Sequence, residues 1–385
     1  MKLSSLPLRK TLKGPVRAWG LTVFVLGMVF VWMPACAPIS GLDSGTTRVF
    51  QIPFPDENGD YRLQKVEIRS FHQPHTLGGS YAKILVDPYE SNGTIESSKP
   101  VGRFARTREG VMVPADYVSL LATSIHAHME RLREINLAVG LSDQQVDWPA
   151  VIGVEANVVN KQKKNTVRNN ALFERRLNAL LLVPYSDSEL PIGVNAGILA
   201  HEHFHRIFHA LVLSRLKPVE KTAEPSSPQI YNETLLRAMN EGFADFWGWV
   251  YTGDDEFIAH SLPQERCKRT LKAKATPLIS TDDLRQVLKG DQFKNEENRV
   301  GLAYEIGSRY ARILRAQTSK KLGAKMTLEQ RIEAARTLIE ILPRLAERAE
   351  EAQAKNEFLS PTAVVNFQAT AESANPIGQG DSCAR

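Results

Sequence analysis

The stretch HEHFHRIFH, residues 201 to 209, places four histidines and a glutamate within nine residues. Imidazole and carboxylate groups bind divalent metals, and their spacing decides which of them can act on one ion. On a helix each residue turns about 100°, so His201 and His205 lie within about 40° of each other and about 6 Å apart along the axis. Both rings can reach one ion. His203 sits about 200° round from His201 and points away. His209 shares the face but lies about 12 Å along the axis from His201, too far for a common ion. Glu202 completes the pattern H-E-x-x-H, in which the two histidines hold zinc and the glutamate takes a proton from the zinc-bound water. The flanking ILA and IFHALVL runs are apolar. The helix is therefore expected to be buried, where histidines and carboxylates need partners.

A tetrahedral catalytic zinc takes three protein ligands and keeps a fourth position open. The longer pattern with Gly at 208 and a third histidine at 211 fails, because the chain has Phe208 and Leu211 there. Downstream stands NEGFAD, residues 240 to 245, within an apolar helix candidate. Glu241 and Asp245 are four apart and share one face of it. Two carboxylates on a buried face call for cationic company. Glu233, in the nearby YNET, is a rival third ligand.

Together the two motifs resemble those of gluzincins, the thermolysin-like zinc metallopeptidases. The resemblance covers roughly residues 115–320, and its specific content is confined to the two motifs. It implies a zincin-like α+β fold, Zn2+ as cofactor and peptide or protein substrates. It makes Glu241 the third ligand beside His201 and His205, with Glu202 as general base. Asp245 would accept a hydrogen bond from a zinc-binding histidine, His201. Gluzincins also use a downstream His or Tyr to stabilise the oxyanion. Tyr304, in a Y-x-x-G setting, is similar to the tyrosine of the aminopeptidase-like members. Tyr310, His260 and Tyr231 are further candidates. The G-x-M-E-N element by which those members hold a substrate amine is missing, which points to internal cleavage. In the family a helix packs behind the active-site helix and a strand before it lines the cleft. Residues 116–140 and LNALLLVPY (177–185) hold those places in chain order. Two other activities fit the same residues: a binding protein that keeps the fold without catalysis, and a zinc hydrolase of another amide such as a peptidoglycan cross-link.

The elements that must position these residues follow from periodicity. Residues 49 to about 112 show short β-like runs broken by turn signals such as ENGD and SNG. Helical spacing begins at 116, with Asp116 as a cap. Strand and helix signals then mix, and helical ones dominate from 234 onward: 234–251, 299–317 and 326–355, with Pro343 inside the last. The basic run RCKRTLKAK (266–274) reads as a solvated face. The order suggests α+β architecture with a tether and β-rich region at 36–112 and a catalytic domain at 113–320. Its cleft would lie between 113–216 and 230–320, and residues 321–385 would form a helical extension and tail.

The formal net charge of +5 comes from the first 35 residues. Lys2, Arg9, Lys10, Lys13 and Arg17 are five of the 48 basic residues, and the 43 that remain equal the 43 acidic ones. A broad footprint for nucleic acid is absent. A basic stretch precedes the apolar run 21–32, which as a helix rises only about 18 Å and suits a signal peptide better than a membrane span. The MPAC end resembles a bacterial lipoprotein signal, which implies cleavage before Cys36 and a lipid anchor there. The expected location is the cell envelope, on the periplasmic side of the outer membrane. Cys267 and Cys383 then remain as an even pair that an oxidising compartment would allow to bond.

Overall fold

The computed structural model describes residues 47–56, 59–91, 94–160, 165–187, 189–219 and 223–362. The expected signal segment 1–35, the lipidation residue Cys36 and the tail cysteine Cys383 lie outside the described residues, and Cys267 is disulfide-bonded. Among the described residues, no helix is long and apolar enough to cross a membrane.

The β-rich region contains β1 (Arg48–Pro55), β2 (Tyr61–Ile68), β3 (Ala82–Ser91), β4 (Thr94–Ser98), β5 (Phe104–Arg106) and β6 (Met112–Pro114). β1 alternates buried and half-buried residues along its whole length, as a strand with one covered face must. After α1 (Tyr117–Ala138) come β7 (Ala150–Val154), β8 (Val159–Asn160), β9 (Asn165–Thr166), β10 (Ala171–Glu174) and β11 (Ala179–Leu182). Then the chain turns helical: α2 (Ala196–Leu211), α3 (Pro228–Thr252), the short α4 (Arg266–Arg269) and α5 (Thr281–Leu288), α6 (Glu296–Leu322) and α7 (Leu328–Lys355). The architecture is α+β with two small mixed sheets.

One sheet has the order β2-β1-β6-β5, the other β10-β11-β7-β3-β4, and β8 and β9 pair as a small ribbon. β3 runs parallel to β7, with Ile84 opposite Ile152, and β7 runs parallel to β11, with Ile152 opposite Leu180. The boundary expected at 112/113 therefore runs through the second sheet, since β3 and β4 precede it and β7, β10 and β11 follow. LNALLLVPY, expected to line the cleft, forms the interior strand β11. The edge strand next to it is β10, paired antiparallel to it.

Helix ends obey local chemistry. Asp116 caps α1 through Ser119 N–H at 2.8 Å. Asn195 caps α2, accepting from Gly197 and Ile198 N–H. α3 starts at Pro228, six residues before the expected Thr234, because Ser227 caps it and Pro suits the first helical turn. α2 ends at Leu211 and gives way to a 3-10 turn, Leu213–Arg215, short of the expected end at 216.

Candidate metal centre

Three long helices, α2, α3 and α6, and the short α4 build the site. α2 supplies His201, Glu202 and His205, which are 4%, 6% and 8% exposed and so largely buried. Tyr61 of β2 braces the start of this helix: Ala196 N–H donates to its hydroxyl at 2.6 Å. Tyr61 thus ties the N-terminal β region to the start of the site helix. α3 supplies Glu241 and Asp245 on one face. It approaches α6 closely because both carry glycine at the crossing. A Cβ on Gly242 would stand 2.2 Å from the Gly307 carbonyl oxygen, and one on Gly307 would stand 2.8 Å from that of Ala238. This contact sets Tyr304 of α6 over the cleft.

His201 Nδ1–H donates to Asp245 Oδ1 at 3.0 Å, which turns its Nε2 toward Glu241 Oε2, 3.5 Å away. His205 Nε2 lies 3.7 Å from the same oxygen. One ligand atom from each of His201, His205 and Glu241 falls within 4.8 Å of the others. Ligands about 2.1 Å from a tetrahedral zinc stand about 3.4 Å apart, so both nitrogen–oxygen separations suit a shared ion. Glu202 Oε2 and Glu241 Oε2 are buried with no hydrogen-bond partner, as oxygens reserved for another group would be. The donor set, two imidazoles and a carboxylate, is the chemistry zinc takes in hydrolytic sites.

Arg269 is the residue that sequence reading missed. The run 266–274 was expected to be a solvated face, yet the Arg269 side chain is only 13% exposed. Its guanidinium forks onto Asp245, with Nη2 at 2.5 Å from Oδ1 and Nε at 3.2 Å from Oδ2. It also lies under the Tyr304 ring, 5.1 Å from the centroid. Arg312 of α6 fixes the turn by donating to the carbonyls of Lys268 and Thr270, on either side of Arg269. A lone arginine in a basic surface-like run carries no periodic signal that would mark it.

The charges do not balance without a cation. Glu241 and Asp245 bring two negative charges to the buried cluster and Arg269 one positive, an excess of negative charge that a bound cation would offset. In the metal-free state the pKa values bend to cover this deficit. Burial works against a charged His201, but Asp245 and Glu241 outweigh it and raise its pKa to about 9. Burial likewise opposes ionisation of Glu241 and Asp245, yet both are held below their ordinary values, Glu241 by His205, His201 and Arg269 and Asp245 by Arg269 and His201.

The other candidates separate by position. Glu233 lies two helical turns before Glu241 and pairs with Arg237 at 3.7 Å. His203 points into the core, where it stacks on Trp148 and meets Asn136 at 3.0 Å. Tyr310 is fully buried and donates to the Pro361 carbonyl at 2.8 Å. His260 pairs with Asp254 at 2.7 Å, and Tyr231 packs edge-on against Phe358. Of the four oxyanion candidates, Tyr304 alone lines the cleft that holds Glu202, His205 and Glu241. Its phenol is pushed far up, first by the negative charge of Glu241 and then by burial, so it stays protonated.

The cleft has a volume of 650 Å³. β10 lines it with Ala171, Leu172 and Phe173, and α3 lines it with Leu236, Asn240 and Glu241. α7, expected as part of an extension, closes a further wall through Ala349, Ala352 and Gln353. Gln353 also clamps the segment after α2: its amide accepts from Lys217 N–H and donates to Lys217 C=O, both at 2.9 Å. No protein-family model matches the chain, and no curated protein matches it in sequence.

Proposed function

We propose that this chain is a zinc-dependent peptidase of the bacterial cell envelope, zincin-like in fold and gluzincin-like in its ligands, held to the membrane by a lipid on Cys36. The observation that carries the reading is the convergence of His201, His205 and Glu241 within 4.8 Å, beside Glu202, whose buried Oε2 has no hydrogen-bond partner. Zinc held there supplies Lewis acidity, polarising the scissile carbonyl and acidifying a water. Glu202 accepts the proton of the attacking water and delivers it to the leaving amine. Asp245 holds the Nδ1–H of His201, which fixes the ring's tautomer and keeps Nε2 free as a ligand. Tyr304, a phenol at neutral pH, donates toward the developing oxyanion. The β10 edge offers backbone groups to an extended peptide, which orients the scissile bond across the cleft.

The test is elemental analysis beside a peptide-hydrolysis assay. The wild type should hold about one zinc per chain, as a three-ligand catalytic site does. Glu241→Ala should lose it. Glu202→Gln should keep the metal and lose about 10²–10⁴-fold in rate. Wild-type hydrolysis by Glu202→Gln would remove the mechanism. A zinc-loaded protein inert to a broad peptide library but active on purified cell walls would replace the substrate. Inertness to both would leave a binding protein.

A further inference from the structure

The cleft carries a charge pattern that hydrolysis does not use. Its lining holds Arg175, Arg176, Lys217 and Arg237, against one carboxylate, Glu233, outside the Glu202–Glu241 cluster. Arg176 pairs with Glu174 at 3.2 Å, and Arg237 lies 3.7 Å from Glu233 and 3.4 Å from Glu296. Arg175, which follows the end of β10, has no ion-pair partner among the described residues. Beside it His209 lines the same cleft, half-buried, with Nδ1 buried and without a hydrogen-bond partner. The His209 ring centroid is 5.8 Å from that of Phe173. Burial, and then the positive charge of Arg175, hold the His209 pKa below its ordinary value, so the ring is neutral and keeps one N–H to give.

Position gives this group a meaning. His209 follows the ligand His205 by one turn, about 6 Å along α2. An extended chain advances about 3.3 Å per residue. A peptide lying along β10 therefore brings a residue about two positions from the scissile bond to His209, Phe173 and Arg175. The phenyl ring suits an aliphatic stem. The guanidinium fork suits a carboxylate, and the imidazole N–H suits a second oxygen.

We propose that Arg175, His209 and Phe173 form a carboxylate-binding subsite about two residues from the scissile bond, so that the cleft selects acidic substrates. The proposal rests on the peptidase reading above. The carboxylate comes from an Asp or Glu side chain or from the C-terminus of the substrate chain.

The experiment uses zinc-loaded protein and peptides that differ only in Glu or Gln at each position near the bond, with free or amidated C-termini. At one position Glu should raise kcat/KM about tenfold over Gln, the gain of a single charge-assisted contact. Arg175→Ser, at an exposed position, should bring that ratio near one, and Arg175→Lys should keep part of it. A gain that follows the free C-terminus instead of Glu identifies the chain end as the carboxylate recognised. Equal rates for Glu and Gln peptides and for free and amidated ends, or a preference that survives in Arg175→Ser, overturn the subsite and leave the peptidase reading standing. The same peptides titrated onto zinc-loaded Glu202→Gln report binding without turnover. Acid-selective binding, lost in the Arg175→Ser double variant, with no cleavage by wild type keeps the subsite and removes the peptidase. Absence of acid preference in both assays overturns the subsite whatever the turnover.

Discussion

Asp245 stands between two partners: it accepts from His201 Nδ1 at 3.0 Å and from Arg269 Nη2 at 2.5 Å. The carboxylate so held aims the His201 ring at Glu241. Asp245→Ala should weaken zinc affinity about 10–100-fold, the usual cost of removing the carboxylate behind a metal-bound histidine. Competition with a fluorescent zinc chelator measures this. Unchanged affinity would show that Asp245 serves the helix pair and not the metal.

Tyr304 and Tyr310 sit on one helix and should behave in opposite ways. Tyr304→Phe should keep zinc and stability while kcat falls about 10²–10³-fold, as for loss of one oxyanion donor. Tyr310→Phe should leave kcat alone and cost about 1 kcal/mol of stability, because its hydroxyl donates to the Pro361 carbonyl in the core, away from the cleft. Steady-state kinetics and denaturant unfolding on both variants separate the roles.

The α3–α6 crossing is a packing constraint on the site. Gly242→Ala places a methyl 2.2 Å from a carbonyl oxygen, and the helices must part. Overpacking of this kind costs about 1–3 kcal/mol. Tyr304 would move with α6, so kcat should fall more than zinc affinity. A variant with wild-type melting temperature and rate would show that the crossing has slack.

Two buried histidines of α1 set an acid limit. His126 stacks on Phe71 with ring centroids 4.2 Å apart, and burial pushes its pKa down to about 4. His128 bonds the Tyr251 hydroxyl, and burial pushes it down to about 3. Both take a proton more readily when unfolded, near pH 6.5, so stability is full above that value and falls as pH drops toward 4 and 3. His126 alone accounts for about 3 kcal/mol across its window. In the zinc-free protein His201 is shifted the other way, so its contribution is full below about pH 6.5 and is lost progressively as pH rises from there through about 9. Unfolding free energies at pH 7 and 5 check the slope, and His126→Gln should flatten it.

Much of the site is legible from local rules. That His201 and His205 share a face while His203 does not follows from the helical repeat alone, and so does the pairing of Glu241 with Asp245. The α+β order and the Asp116 cap are likewise written in short-range periodicity and turn chemistry. α3 begins earlier than its apolar pattern because its start is a cap and a proline, Ser227 and Pro228, inside a stretch that otherwise reads as loop.

What the tertiary structure decided is everything that joins distant segments. His205 and Glu241 are brought to 3.7 Å by packing between α2 and α3, and no periodicity within either helix encodes that distance. Arg269 enters the site because Arg312 pins its turn, and Tyr304, not Tyr310, faces the cleft because two glycines let α3 and α6 touch. β10 became the cleft edge, in place of the more apolar LNALLLVPY, because an interior strand must be apolar on both faces and an edge strand need not. Sequence spacing carries the geometry of one element. The contacts between elements depend on how side chains of many segments fill space together.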